Sequence, residues 1–505
     1  MQNFADITPP ITLSPLDGRY RSKIAGLTNY LSEPALNRAR IDIEIRWLIY
    51  LTDRHILPHT PALGGAEKEY LHGITQSFGK EEMRELKELE RETKHDVKAV
   101  EYFLKRRLDA AGEGPLAQMR EIIHLFCTSE DINNLAYALS VKSAMLKIWL
   151  PAAQDLIARL RRLAQATADC PMPARTHGQN ATPTTVGKEI SVFIYRLCRQ
   201  LRNLERAEYL GKFNGATGTF GAHAVSLPEV DWIGVSRDFV SSLGLTWNPL
   251  TTQIEPHDWM AEIFSSVAHF NRIAHNLATD FWMYISFGYF RQLPSAQGTT
   301  GSSTMPHKIN PIRFENAEAN LEISNALLDT LSVTLVTSRM QRDLTDSSTL
   351  RNIGIGLGYS LLALRNLTQG LEGVAVSREK TGRDLAQSWE VLAEPIQQVM
   401  RVAAIGGRDD LKNSYEKLKE LTRGHSVTQK QIRDFIGKLN LPEKIAKRLE
   451  NLTPETYTGL AGELTRFALG PNNTDAPETE AGGRGHGRSN PPTADMPAAG
   501  GKTEK

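Results

Sequence analysis

Phe264-Ser-Ser-Val-Ala-His-Phe-Asn-Arg-Ile-Ala-His-Asn-Leu-Ala-Thr-Asp-Phe281 decides the fold class. Its apolar residues Phe264, Val267, Phe270, Ala274, Leu277 and Phe281 recur at spacings of three and four, the spacing of one helix face. Upstream, Val186, Ile190, Phe193, Leu197, Leu201 and Leu204 repeat the pattern. Two such runs, each several turns long, imply a long helical bundle. Strand-like alternation is nearly absent, so the expected architecture is all-α, with three helical domains around a long central bundle.

The bundle is expected over residues 116–365. An N-terminal helical domain, 1–115, precedes it and closes at the linker Gly112-Glu113-Gly114-Pro115. Within it Ala39 to Leu51 reads as a short amphipathic stretch. Lys80 to Leu108 reads as a charged helical region that breaks and restarts near Thr93-Lys94-His95-Asp96. Shorter helices beyond 366 make a C-terminal domain, 366–469. Residues 470–505 carry Gly, Pro, Asn, Thr and charge with too little apolar surface to offset ordering, and read as a disordered tail without assigned function.

The 505 residues allow roughly three domains of about 150 residues each. A formal net charge of +1 argues against wrapping a nucleic acid, yet leaves room for a small anion held by focused Arg and Lys. Cys127, Cys170 and Cys198 are odd in number and far apart, which fits a reducing cytosol better than a disulfide framework. There is no secretory pattern at the N-terminus, and the aromatic patch Phe281 to Phe290 is too short to span a bilayer. A cytoplasmic protein without membrane partners is expected. His55 and His59 are four apart, but Pro58 breaks the helix that would align them, so neither metal nor cofactor is expected.

Between helical regions lies Leu293-Pro-Ser-Ala-Gln-Gly-Thr-Thr-Gly-Ser-Ser-Thr-Met-Pro-His-Lys-Ile-Asn-Pro-Ile312, which has no period at all. Long aperiodic segments in compact proteins are commonly lids, binding loops or disorder, and the apolar helices at both ends favour a functional loop. The run Gly301 to Pro311 fails the spacing of a nucleotide P-loop and follows no strand. A hydroxyl-rich surface turn would be the default for a bare Gly-Ser-Ser. The longer pattern Gly-Ser-Ser-x-Met-Pro-x-Lys-x-Asn, however, resembles the signature loop of the fumarase–aspartase superfamily. Ser14 to Tyr20, His95 to Tyr102, Thr128 to Asn134, Arg175 to Gln179, Thr252 to Asp258 and Gln341 to Ser347 narrow the resemblance to the adenylosuccinate lyase family, over roughly residues 11 to 470.

That resemblance implies elimination of fumarate from N-succinyl nucleotides in purine synthesis. It also implies a homotetramer whose active sites each draw on three subunits. The chemistry needs a base for the carbon next to a carboxylate, an acid for the leaving nitrogen, and cations or N–H groups for the developing charge. By resemblance His177 is the acid, in a Pro-rich approach to a helix expected to open at Thr182-Pro183, and Ser302 is the base. Lys308 supplies charge beside Ser302 and binds a carboxylate, and Asn310 shapes the loop or donates a hydrogen bond. Thr128 and Ser129, which also read as the N-cap of an apolar helix, bind the succinyl carboxylate with Gln253. His95 is placed near the phosphate and Asp96 on the nucleotide. Lys94 is a cation suited to an anionic substrate. Arg19, Tyr20, Asn316, Arg342, Ser347, Ser348, Thr349, Leu350 and Arg351 complete the nucleotide set, Arg being suited to oxyanions.

Two rival readings stand beside this one. Argininosuccinate lyase is disfavoured by the phosphate-type residues around Arg19-Tyr20 and Arg342 to Arg351. A catalytically silent scaffold is disfavoured by the presence of His177, Ser302 and Lys308.

Overall fold

A computed structural model of the chain describes residues 13–293, 305, 309–422 and 427–470. Five long helices form a closed ring: Leu150–Ala166, Val186–Glu205, Asp258–Ser286, Ile312–Thr334 and Ile353–Glu372, the last packing back on the first. The apolar faces read from sequence point into this ring. Phe264, Val267, Phe270, Ala274, Leu277 and Phe281 are all buried, and so are Val186, Ile190, Leu197 and Leu204. Each fully buried Leu or Phe contributes about 1.5–3 kcal/mol.

A buried polar chain crosses the ring. Trp149 Nε1 donates to Ser360 Oγ at 2.8 Å, Ser360 donates to Asn271 Oδ1 at 2.7 Å, and Asn271 Nδ2 donates to Ser324 Oγ at 3.1 Å. Every member has a partner, so the chain fixes helix register at little cost. Gly187 lets two ring helices approach closely, since a Cβ there would sit 2.5 Å from the Ala164 carbonyl oxygen.

The helix Ser129–Ala144 runs into Leu150–Ala166 through a π-helical turn at Met145–Trp149. Pro151 lacks the N–H that would bond one turn back, and the widened turn accommodates it. In the N-terminal region, Glu33–Asp53 is longer than the amphipathic stretch expected. Ile41, Ile43, Ile45, Trp47, Leu48 and Leu51 are fully buried, so this helix is enclosed on most sides rather than amphipathic. The break at Thr93–Asp96 is present, between helices Lys80–Thr93 and Asp96–Ala110.

Short strands form three two-stranded pairs among the described residues. The pair Pro171–Thr176 and Gln179–Thr185 corrects the expectation of a helix opening at Thr182-Pro183. The helix begins at Val186, capped by Thr185 Oγ1 accepting from Lys188 N at 3.2 Å. The prolines are tolerated because this ladder is isolated, and its register shifts between Met172 and Ala174, around Pro173.

A second, smaller core of Leu392, Ile396, Met400, Leu411, Ile432 and Ile436 lies apart from the main one. The helix Ile353–Glu372 runs through residue 365, where the central and C-terminal domains were expected to divide. The helix Ala461–Leu469 returns to pack on Leu150–Ala166 and Val186–Glu205. The tail expected from 470 lies, apart from Gly470, outside the described residues. No described helix is long and apolar enough to cross a membrane.

Candidate active site

Three chain turns meet around a cavity of about 470 Å³. The first is the break between helices at 93–96. Lys94 ends one helix in the left-handed region, at φ 55°, and His95 caps the next, its Nδ1 accepting from Lys98 N at 3.1 Å. Because Nδ1 accepts, a neutral His95 carries its proton on Nε2. The second is the start of Ser129–Ala144, where Thr128 N donates to Asp131 Oδ2 at 2.9 Å. The third is the short helix Thr345–Leu350 with the segment before it, which brings Arg342, Ser347, Ser348, Leu350 and Arg351 to the wall. Gln253 completes it, its Nε2 donating to Ala216 O at 2.9 Å.

Several charges in and behind this wall are paired. Asp131 and Lys212 are both fully buried, 2.8 Å apart. Asp131 also accepts from the backbone N–H groups of Asn214 and Gly215, at 3.0 and 3.1 Å. This neutralisation leaves the helix start available to a ligand anion despite a carboxylate in its first turn. Burial opposes the charged form of Asp96, but the Arg40 guanidinium at 2.8 Å and the Val97 N–H hold its carboxyl below the usual range. Asp346 is likewise penalised by burial and nevertheless lowered, by His257 and Arg342.

Arg40, Glu130, Asn133 and Tyr137 also line the cavity and were not singled out from sequence. Arg40 lies mid-helix among isoleucines, and only packing of Glu33–Asp53 on Ser129–Ala144 brings it to the site. Glu130 follows Thr128 and Ser129 directly in the Thr128 to Asn134 motif. His124 lies outside the lining but braces the chain leading to Thr128. Burial works against its protonation, but Glu44 at 2.5 Å and Glu101 raise its pKa. The same Glu44 accepts from His124 N at 3.0 Å, bracing the approach to Thr128.

The remaining candidates lie elsewhere on the chain. Asn316 Nδ2 donates to the Tyr20 hydroxyl at 3.2 Å, and Asn316 Oδ1 accepts from Asn366 at 2.5 Å. Lys23 and Arg313 both donate to Asn366 Oδ1 at 3.0 Å, and burial with neighbouring Arg313 and Arg365 lowers the Lys23 pKa. Arg19 is exposed, its guanidinium 5.9 Å from the Tyr20 ring centroid. Thr349 bonds back to Thr345 O at 2.9 Å and does not line the cavity.

His177 occupies the exposed tip of the hairpin, with φ 51° followed by Gly178 at φ 76°, a two-residue turn with both residues left-handed. It does not line the cavity either. Ser302 and Lys308 lie outside the described residues. At the ends of their segment, Gln292 Nε2 donates to Ile309 O at 2.5 Å, and Phe281 stacks on Phe314 at 5.5 Å. Asn310 is half-buried just before the helix that starts at Ile312. Among the described residues no group of three or more His, Cys, Asp or Glu could hold a metal ion.

Comparison with known proteins gives this arrangement its context. A lyase family model matches residues 59–322, and a model for the adenylosuccinate lyase C-terminal region matches 338–458. The chain is 48% identical to adenylosuccinate lyase of Haemophilus influenzae, over 90% of this chain and 97% of that one. It is also 48% identical to the Escherichia coli K12 enzyme, over 89% and 96%. In fold it resembles a fumarate lyase from Mesorhizobium, with a TM-score of 0.70 at 18% identity, covering 88% of this chain and 98% of that one. Identity at this level across nearly the whole described chain settles the kinship: the chain belongs to the adenylosuccinate lyase family of carbon–nitrogen lyases.

Proposed function

We propose that the enzyme eliminates fumarate from adenylosuccinate, giving AMP, and from the succinyl-aminoimidazole carboxamide ribotide, giving AICAR. The observation that carries this reading is the cavity between His95, Thr128, Gln253 and Arg342. It combines hydroxyls, an amide, a helix start and three arginines, the donors that a dicarboxylate joined to a phosphate requires.

In the reaction, Ser302 as alkoxide takes the proton from the succinyl carbon next to a carboxylate. The electron pair forms the new C=C bond as the C–N bond breaks, and His177 gives its proton to the departing nitrogen. Thr128, Ser129 and Gln253 hold the carboxylate on which charge develops, and Lys308 offsets charge at Ser302. The helix dipole at Ser129 is already oriented toward that charge, so no reorganisation is needed during the step.

Three groups on one chain support a site shared between chains: the cavity, the Tyr20–Asn316 cluster, and the exposed hairpin tip carrying His177. A homotetramer of closed symmetry would bring them together. The cytosol is the proposed compartment, in keeping with three free cysteines. Purified protein incubated with adenylosuccinate should release AMP and fumarate in equal amounts. Turnover of argininosuccinate alone would contradict the reading.

A further inference from the structure

One continuous line of polar contacts runs under the cavity. His257 Nε2 lies 3.5 Å from Asp346 Oδ2, and Arg342 Nη1 lies 3.4 Å from the same oxygen. Arg342 Nη2 lies 3.1 Å from Glu130 Oε1, which also accepts from Asn133 Nδ2 at 2.8 Å. Asn133 Oδ1 accepts from Arg40 Nε at 2.8 Å, and Arg40 Nη2 reaches Asp96 Oδ2 at 2.8 Å. Glu130 is the joint of this line, the only described residue touching both Arg342 and the Asn133–Arg40–Asp96 branch.

The placement is costly on simple electrostatics. Glu130 is almost fully buried, its side chain 5% exposed, in the wall of a site read as binding a polyanion. A carboxylate there repels the ligand unless holding the guanidinium matters more. Two acids on different nitrogens of Arg342 fix its plane, and a planar fork has to be aligned before it can bind an oxyanion bidentately.

We propose that Glu130 is a positioning residue, which holds Arg342 in line for the substrate's anionic group and, through Asn133 and Arg40, sets Asp96 on the facing wall. The inference rests on the nucleotide reading above. It has a sign opposite to that of a merely repulsive carboxylate, whose removal would tighten anion binding.

The test uses AMP as probe, by calorimetry, with steady-state kinetics on adenylosuccinate alongside. Glu130→Gln removes the charge at constant size, and Glu130→Ala removes the joint. Both should weaken AMP binding and raise KM, by about tenfold for Ala, with a smaller fall in kcat. In an Arg342→Gln background the Glu130 substitutions should lose most of their effect, which a general loss of stability would not reproduce. Tighter AMP binding, an unchanged Kd, or an equal penalty in both backgrounds would overturn the inference. Wild-type protein that binds no AMP would overturn the functional reading instead, and this one with it.

Discussion

His177 sits in a left-handed turn at an exposed hairpin tip, where it contributes nothing to the buried core. Its replacement should therefore separate chemistry from folding. His177→Ala is expected to lower kcat by about 10²–10⁴-fold, the usual worth of a positioned acid, with the melting temperature nearly unchanged. An activity assay paired with calorimetry checks both halves. His124 offers the converse case, a histidine whose part is stability. Its pKa is raised in the folded state, so its ion pair with Glu44 stabilises fully below the unfolded value of about 6.5 and is lost as pH rises through the folded value. The stability gap between wild type and His124→Gln, from urea unfolding, should be widest below pH 6.5 and narrow as pH rises above it. A gap that widens with pH would contradict the assignment.

At the scale of elements, the start of Ser129–Ala144 depends on a buried pair that sequence could not single out. Asp131 reads as an ordinary first-turn acid, and Lys212 stands in Gly211-Lys212-Phe213-Asn214 without any pattern around it. Only the fold shows that they meet, both fully buried, at 2.8 Å. Asp131→Asn strands the lysine ammonium and is expected to cost about 3–5 kcal/mol of stability in urea titration, part of it restored by adding Lys212→Met. A loss below 1 kcal/mol would mean the pair is solvated. The bundle helices were legible because one face of each repeats every three or four residues. The hairpin at 171–185 was not, because its prolines and polar residues hide the alternation and its pairing lies in an isolated ladder. The N-cap at Thr128 was legible from Thr-Ser-Glu-Asp. Arg40 was not, since its polar role arises only from contact between two helices far apart in sequence.

For the whole molecule, the distribution of candidate residues matters more than any one of them. The cavity gathers Lys94, His95, Asp96, Thr128, Ser129, Gln253, Arg342 and Arg351, while His177 and the Tyr20–Asn316 cluster lie outside its lining. The proposal of a site shared between subunits rests on this division. The resemblance to a fumarate lyase at a TM-score of 0.70 and 18% identity is one of fold alone, so the nucleotide chemistry rests on this chain's own residues and on its nearer relatives. Subunit complementation tests the central claim most directly. His177→Ala and Ser302→Ala proteins, each inactive alone, are mixed in equal amounts, allowed to exchange subunits, and assayed for AMP and fumarate release from adenylosuccinate. If the two residues come from different chains of one site, random mixing leaves about a quarter of sites intact and restores about a quarter of wild-type turnover. No recovery after demonstrated subunit exchange would contradict the account.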